Sequence, residues 1–187
     1  MSSHIRAFIA IELPGEVKSA LAGTQDSLRG KGDSKEAKWV RADAMHLTIT
    51  FLGNTDPHLV DSVIAALEAA VQVTNEFTLT TGAVGVRNKR IVWVEIKESA
   101  GLKALKESID LALTPLGFKR EAREFRPHLT LARVRSTTEA RRLAGLIRDF
   151  EFEKLSFSPS SVTLFKSDLT SVGAHYTILK KIELKVN

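Results

Sequence analysis

The chain has 187 residues, of which 43% are hydrophobic, and its 27 lysine and arginine residues against 22 aspartate and glutamate residues give a formal charge of +5. This size and composition predict one compact domain over residues 1–187. The positive charge suits either a phosphate-bearing partner or surface loops that the charges keep solvated. Because the sequence contains no cysteine, disulfides, thiolate nucleophiles and cysteine-ligated metal sites are excluded.

The chain opens with an apolar run over 6–13 that predicts a buried strand. Glu12 interrupts the run and Pro14 stops it, so it is too short to span a membrane and lacks a signal-peptide cleavage region. We therefore expect a cytoplasmic protein without membrane association. A first helix is predicted by residues at helical spacing, namely Val17, Ala20, Leu21, Thr24 and Leu28.

The middle of the chain alternates strand and helix patterns. In order, it predicts a loop over 30–38, extended segments over 39–41 and 45–51, a helix from Asp56-Pro57, and strands over 77–81 and 90–96. Asp56 is a favoured helix cap, and Pro57 suits the first helical position. A basic cluster of Arg87, Lys89 and Arg90 lies at the start of the last of these strands.

The remainder predicts two more helices and several strands. They are a helix over 99–113, a strand over 126–134, a helix opened by a capping box from Ser136 to Glu139, and three antiparallel strands within 150–186. A second basic cluster comprises Lys119, Arg120, Arg123 and Arg126. The whole pattern, with four helices and roughly ten strands, predicts a mixed α+β fold.

One tripeptide occurs twice, each time inside a predicted strand: His46-Leu47-Thr48 and His128-Leu129-Thr130. Side chains alternate between the two faces of a strand, so each histidine shares a face with its threonine while the leucine points to the core. If both strands border one cleft, that cleft contains two imidazoles and two hydroxyls. The repeat also suggests two lobes of similar build.

This set of groups suits the hydrolysis of a cyclic phosphodiester. One histidine can activate water and the other can protonate the departing oxygen, while threonine hydroxyls stabilise charge on the phosphoryl oxygens. The scheme requires neither a metal nor a cofactor. The alternative is two strand histidines with only a structural role. His4, His58 and His175 are expected to have no direct catalytic role, and Trp39 and Trp93 are expected in the core.

At these residues the sequence resembles the two-histidine (2H) phosphoesterases, specifically the RNA 2′,3′-cyclic phosphodiesterases first described as 2′–5′ RNA ligases. The similarity covers nearly the whole chain. It is carried by Arg6-Ala7-Phe8-Ile9-Ala10 with Leu13-Pro14, by Trp39-Val40, by residues 46–53 (HLTITFLG), by residues 125–133 (FRPHLTLAR), and by residues 162–167 with 173–176. The resemblance implies a bilobal α+β fold of two interleaved lobes, in which two pseudo-symmetric antiparallel sheets flank a central cleft with the helices on the outside.

The resemblance also implies an activity, the hydrolysis of RNA 2′,3′-cyclic phosphate ends to 2′-phosphomonoesters. His128 would be the proton acceptor and His46 the proton donor, while Thr48 and Thr130 would bind the substrate phosphate. Weak reverse 2′–5′ RNA ligation would follow from microscopic reversibility, and a monomer is the default. Two alternatives remain open: a 2H phosphodiesterase acting on a small cyclic nucleotide, and a non-catalytic RNA-binding module of the same fold.

Two arginines flank the second motif and are candidate RNA contacts. Arg126 precedes His128 by two residues, so it can share the face of His128, although Pro127 can distort the strand. Arg133 follows His128 by an odd number of residues. On a regular strand its side chain is therefore expected to point away from the histidine.

Overall fold

The computed structural model describes residues 4–30, 35–170 and 173–185, and in this part of the chain it contains four α-helices and nine strands. The elements before the midpoint are β1 (Ile5–Glu12), α1 (Gly15–Gly30), β2 (Ala37–Trp39), β3 (His46–Thr55), α2 (Val60–Gln72) and β4 (Leu79–Arg87). Those after it are β5 (Ile91–Ile96), α3 (Ala100–Leu113), β6 (His128–Val134), α4 (Thr137–Arg148), β7 (Ser156–Phe157), β8 (Ser161–Thr170) and β9 (Gly173–Glu183).

The strands are all antiparallel and follow the order β7-β4-β5-β6-β3-β1-β8-β9. β2 lies outside this order and pairs with the end of β6, residues 132–134. β3 and β6 are joined by one residue pair, Leu47 with Leu129. This narrow junction divides the strands into a first half-sheet (β1, β3, β8, β9) and a second half-sheet (β2, β4, β5, β6, β7). The predicted α+β class with two antiparallel sheets is confirmed.

The chain passes repeatedly between the two half-sheets. β1 belongs to the first, β2 to the second and β3 to the first again, after which β4–β7 build the second and β8–β9 return to the first. Neither half-sheet is therefore formed by one continuous stretch of sequence.

The helices cover one face of the strands, and the motif face is left open. α3 packs on β3, α4 packs on β4 and β6, and α2 packs on α3 and β9. Each helix buries an apolar stripe, as α3 does with Leu102, Leu105, Ile109 and Leu113. These side chains join the leucines of both motifs in one hydrophobic core. None of the described helices is long and apolar enough to cross a membrane.

Both predicted cap residues accept a backbone hydrogen bond, but only Ser136 caps an α-helix directly. The Ser136 hydroxyl accepts a hydrogen bond from the Glu139 N–H and caps α4. The Asp56 carboxylate accepts one from the His58 N–H, but it caps a short 3₁₀ turn over Pro57–Leu59 that leads into α2. The predicted loop over 30–38 falls partly outside the described residues and ends in β2, while the three predicted strands of the tail are β7, β8 and β9.

Candidate active site

The two histidine motifs lie side by side at the junction of the half-sheets. Because Leu47 pairs with Leu129 in antiparallel sense, His46 lies beside Thr130 and Thr48 lies beside His128. Both leucines are buried in the core, so the histidines and threonines project from the opposite face. The histidines occupy diagonal positions, which are about 7–8 Å apart in an antiparallel pair. A phosphoryl group can therefore lie between them.

All four motif side chains line one cleft with a volume of about 650 Å³. β3 and β6 form the floor of the cleft and are related by a local two-fold axis at the Leu47–Leu129 pair. Each of the two strands therefore contributes one histidine and one threonine. Further side chains that reach the cleft include Arg6, Phe8, Phe51, Arg133 and Tyr176. The sequence prediction that the two motifs share one cleft is met by this arrangement.

Each imidazole is held by a backbone carbonyl two residues earlier. The Nδ1 of His46 lies 2.8 Å from the Ala44 oxygen, and the Nδ1 of His128 lies 2.9 Å from the Arg126 oxygen. Because a carbonyl only accepts hydrogen bonds, Nδ1 carries the proton in both rings and donates it. In a neutral imidazole, Nε2 is then the free basic nitrogen available for proton transfer.

The pKa values of both histidines are lowered. Burial lowers the pKa of His46 below the usual 6.5, and the positive charges of Lys18 and Arg133 lower it further, against the raising effect of the Ala44 carbonyl. Burial likewise lowers the pKa of His128, with Arg87 and Arg133 adding to the effect and the Arg126 carbonyl opposing it. A bound phosphate anion would act in the opposite direction on both.

Aromatic rings surround His46. Its ring centroid lies 4.9 Å from that of Phe8 and 5.2 Å from that of Tyr176. Phe8 in turn stacks on Phe165 with a centroid separation of 5.1 Å. These rings come from β1, β8 and β9, so the first half-sheet supplies an aromatic wall around one histidine.

His128 has a different neighbour, Trp93 of β5, whose ring centroid lies 5.2 Å away in an edge-to-face arrangement. The Arg87 guanidinium lies over the Trp93 ring, 5.1 Å from its centroid. Gly85 makes the arrangement sterically feasible, because a Cβ at this position would lie 2.9 Å from the Trp93 Nε1. The expectation that Trp93 is simply a core residue is therefore wrong.

Each motif strand contains a bulge directly after its threonine. Ile49 is the extra residue in the pairing of β3 with β1, and Leu131 is the extra residue in the pairing of β6 with β5. A bulge shifts the alternation by one residue. Phe51 and Arg133, each five residues beyond a histidine, consequently face the cleft. The expectation that Arg133 points away from His128 is wrong, because it assumed a regular strand.

Hydrogen bonds on the core side support both bulges. The Gln25 Nε2 donates to the Leu131 oxygen at 2.8 Å and to the Val40 oxygen at 2.7 Å, tying α1 to the bulge of β6. In β3, the Thr50 hydroxyl donates to the Asp110 carboxylate at 3.3 Å. Asp110 also forms a largely buried ion pair with Lys106.

Arg126 lies apart from this arrangement. Its guanidinium is exposed and pairs with Glu124 at 2.9 Å, and it is not among the described residues that line the cleft. Its contribution to the site is its backbone oxygen, which orients His128. The other histidines of the chain, His4, His58 and His175, are exposed and likewise do not line the cleft in the part of the chain that is described.

The sequence analysis did not identify four residues that line the cleft, Arg6, Phe8, Phe51 and Tyr176, or the contact of Trp93 with His128. The only feature of the sequence that could have indicated them is that most lie in the strands that carry the family resemblance. Across the described segments, no group of three or more histidine, aspartate or glutamate side chains is arranged to hold a metal ion.

Comparison with known proteins identifies the family of the chain. The family model of the 2′-5′ RNA ligase superfamily matches residues 17–170. An RNA 2′,3′-cyclic phosphodiesterase of Methanocaldococcus jannaschii is 30% identical over 181 residues, which are 95% of this chain and 99% of that protein. An RNA 2′,3′-cyclic phosphodiesterase of Methanothermobacter thermautotrophicus is 28% identical over 185 residues, 96% and 99% of the two chains.

A solved structure shows the same architecture. Escherichia coli LigT, crystallised with 3′-AMP, superposes with a TM-score of 0.76 at 25% identity, covering 98% of this chain and 99% of the LigT chain. The family match extends from α1 to the end of β8 and includes both histidine motifs. The chain belongs to the 2′-5′ RNA ligase superfamily.

Proposed function

We propose that this protein hydrolyses the 2′,3′-cyclic phosphate ends of RNA to 2′-phosphomonoesters without a metal ion. The observation that carries the proposal is the placement of His46, Thr48, His128 and Thr130 around one cleft. The relatives that are named RNA 2′,3′-cyclic phosphodiesterases support the same substrate. A small cyclic nucleotide and mere RNA binding remain the alternatives that the assays below distinguish.

In this mechanism, His128 is the base and His46 is the acid. The His128 Nε2 takes a proton from water as the water oxygen attacks phosphorus, and the bond from phosphorus to the 3′-oxygen breaks. The departing 3′-oxygen takes a proton from the His46 Nε2. When a 5′-hydroxyl takes the place of water, its oxygen attacks phosphorus, its proton goes to His128, and the 3′-oxygen leaves with a proton from His46. The product is a 2′–5′ linkage, so weak 2′–5′ ligation is part of the proposal.

The charges around His128 suit the role of base. Arg87 and Arg133 disfavour a positive charge on His128, which suits a base that must be neutral when it acts. Burial, Lys18 and Arg133 also lower the pKa of His46, so its protonation as the acid relies on the bound phosphate anion, which favours the imidazolium. The Thr48 and Thr130 hydroxyls would donate to the non-bridging oxygens as their negative charge increases.

The test is hydrolysis of a nucleoside 2′,3′-cyclic phosphate in excess chelator by the wild type, His46→Ala and His128→Ala. Because each variant lacks one proton-transfer group, we expect kcat to fall by about 10²- to 10⁴-fold in both. His58→Ala is the matched control, since His58 is exposed and outside the cleft, and it should retain full activity.

Phosphorus NMR of the product tests the bond that breaks, and a 2′-phosphomonoester is expected. Near-full activity in either active-site variant, complete loss in chelator, or a 3′-phosphomonoester product would contradict the proposed mechanism.

A further inference from the structure

A row of cations crosses the second half-sheet next to the catalytic cleft. Arg87 of β4 pairs with Ile91 of β5, Ile91 pairs with Arg133 of β6, and Arg133 pairs with Lys38 of β2. Directly paired residues project from the same face of a sheet, and Ile91 and Arg133 both line the cleft. The cation row, Arg87, Arg133 and Lys38, therefore lies on the cleft face.

The cation row is close to the reacting groups. Three successive residue pairs between β5 and β6 project from the cleft face. The first, Ile91 with Arg133, belongs to the cation row, and the next two contain Thr130 and His128. Four strands at the usual spacing place Lys38 roughly 14 Å from Arg87. This length allows contact with more than one phosphate of a polynucleotide strand.

The cations of the row are not used to neutralise carboxylates. Among residues 4–30, 35–170 and 173–185, neither Arg87, Arg133 nor Lys38 forms an ion pair, whereas Arg41 and Arg126 each pair with a nearby acidic residue. Arg87 instead lies over the Trp93 ring. Unneutralised cations on one face provide the field that attracts a polyanion.

The hairpin at the end of the row adds Lys89. The β4–β5 turn is closed by the Arg90 N–H donating to the Arg87 oxygen, and Asn88 and Lys89 both have positive φ angles, 51° and 55°. Asparagine adopts this conformation readily, but at the second position glycine is the favoured residue. Lys89 therefore places a charge where a residue without a side chain would be less strained.

The two ends of the cleft differ in chemistry. The first half-sheet contributes Phe8, Phe51 and Tyr176, which suit a nucleobase, with Arg6 as a cation at that end. The second half-sheet contributes the cation row, which suits phosphates. A terminal nucleotide with its base on the aromatic wall would direct the rest of its strand over the second half-sheet.

We propose that Arg87, Arg133, Lys38 and the adjacent Lys89 bind the backbone of a single-stranded RNA on the 5′ side of the reacting ribose. This inference rests on the proposed function, which it extends by making an oligonucleotide a better substrate than a mononucleotide. The contacts are made to phosphates, so they add affinity without base preference.

The test compares a short oligoribonucleotide with a nucleoside, both ending in the same 2′,3′-cyclic phosphate. The variants are Lys38→Gln and Lys89→Gly, separately and combined, and the matched controls are Lys103→Gln and Arg141→Gln on exposed helix positions. We expect the combined variant to lower the ratio of kcat/KM values, oligonucleotide over nucleoside, by about three- to tenfold at low salt.

Salt dependence gives a second readout. For the oligonucleotide, the slope of log kcat/KM against log salt concentration should become shallower by about 0.7 for each cation removed, with no such change in the controls. Lys89→Gly should in addition stabilise the protein, because it relieves the strained turn. A merely structural role for Lys89 would instead lower stability and activity on both substrates together.

An unchanged ratio and slope in the combined variant, or an equal loss on both substrates, overturns the inference. A fall in the ratio with Arg6→Gln alone would place the RNA strand at the other end of the cleft and overturn it as well. If wild type hydrolyses neither substrate, the proposed function fails. Fluorescence anisotropy of the labelled oligonucleotide then tests the cation row separately, and equal binding by wild type and the combined variant contradicts it.

Discussion

His46 and His128 share a tripeptide, a tautomer and a place at the start of a strand, but they differ in their neighbours. His46 contacts aromatic rings from the first half-sheet, whereas His128 contacts Trp93 and lies within the field of Arg87. Two imidazoles with identical surroundings would be equally suited to the acid role and to the base role. The assignment of roles therefore depends on residues outside the motifs.

The lowered pKa values of the two histidines predict the pH dependence of the reaction. The active form has one imidazole neutral and one protonated, so its population peaks between the two pKa values of the pair. Both values lie below the usual 6.5 in the free protein. The profile of kcat/KM, which reports the free protein, should therefore be bell-shaped with its maximum below pH 6.5.

Substrate binding should move this profile in a known direction. The bound phosphodiester is an anion, so it favours the protonated imidazole and raises both pKa values in the complex. The profile of kcat should consequently have its maximum at higher pH than that of kcat/KM. Steady-state rates on a nucleoside 2′,3′-cyclic phosphate across pH measure both, and a kcat/KM maximum well above pH 7 would contradict the expectation.

At the residue scale, the sequence was sufficient to place His46, Thr48, His128 and Thr130 in one cleft, because a repeated strand motif places matching side chains on one face. It was insufficient for Arg133. Its orientation depends on one extra residue in β6, and that bulge is defined by pairing with β5. No local pattern at residues 128–133 contains this information.

At the scale of elements, the bulge in β6 depends on a helix distant in sequence. The side chain of Gln25 in α1 is buried and donates two hydrogen bonds, to the Leu131 oxygen and the Val40 oxygen. The Val40 N–H also donates to the Leu131 oxygen at 2.8 Å. Helix α1 thereby fixes the local backbone from which Arg133 reaches the cleft.

We predict that Gln25→Leu destabilises the protein by about 1–3 kcal/mol, since it leaves the partly buried Val40 oxygen without its donor and removes one of the two donors to the Leu131 oxygen. Chemical denaturation measures the loss, and kcat/KM should fall as well because Arg133 is no longer held in place. Gln72→Leu, on an exposed position of α2, is the control. Equal stability of the two variants would contradict a structural role for Gln25.

The elements themselves were largely predictable, and the exceptions have a physical cause. Apolar spacing located the first three helices, and the capping box at Ser136 located the fourth; Asp56 marked the start of the helical segment that leads into α2. The strand predicted over 77–81 instead forms β4 over Leu79–Arg87. Gly82 and Gly85 weaken the strand pattern there, although Gly85 is required by the neighbouring Trp93 ring.

At the scale of the molecule, the interleaved path of the chain predicts how it unfolds. Both half-sheets share one hydrophobic core, and neither consists of a continuous segment. One half-sheet therefore has no means of folding while the other is unfolded. We expect a single cooperative transition in denaturant, despite the single residue pair that joins β3 to β6.

The positions of the tryptophans make this testable. Trp39 and Trp93 both belong to the second half-sheet, so their fluorescence reports on that half, whereas far-ultraviolet circular dichroism reports on the whole chain. The two signals should give coincident unfolding curves. Separate midpoints would show two independently folding units and contradict the prediction.

The local two-fold symmetry around Leu47 and Leu129 also determines which ligands can be informative. A free phosphate or sulfate ion has equivalent oxygens, so it would contact the histidine and threonine of each strand in the same way. Its two orientations in the cleft therefore look identical. Only a ligand with chemically distinct ends can distinguish the wall of Phe51 from that of Arg133. Experiments to assign the leaving-group side should therefore use a dinucleotide analogue in place of a symmetric oxyanion.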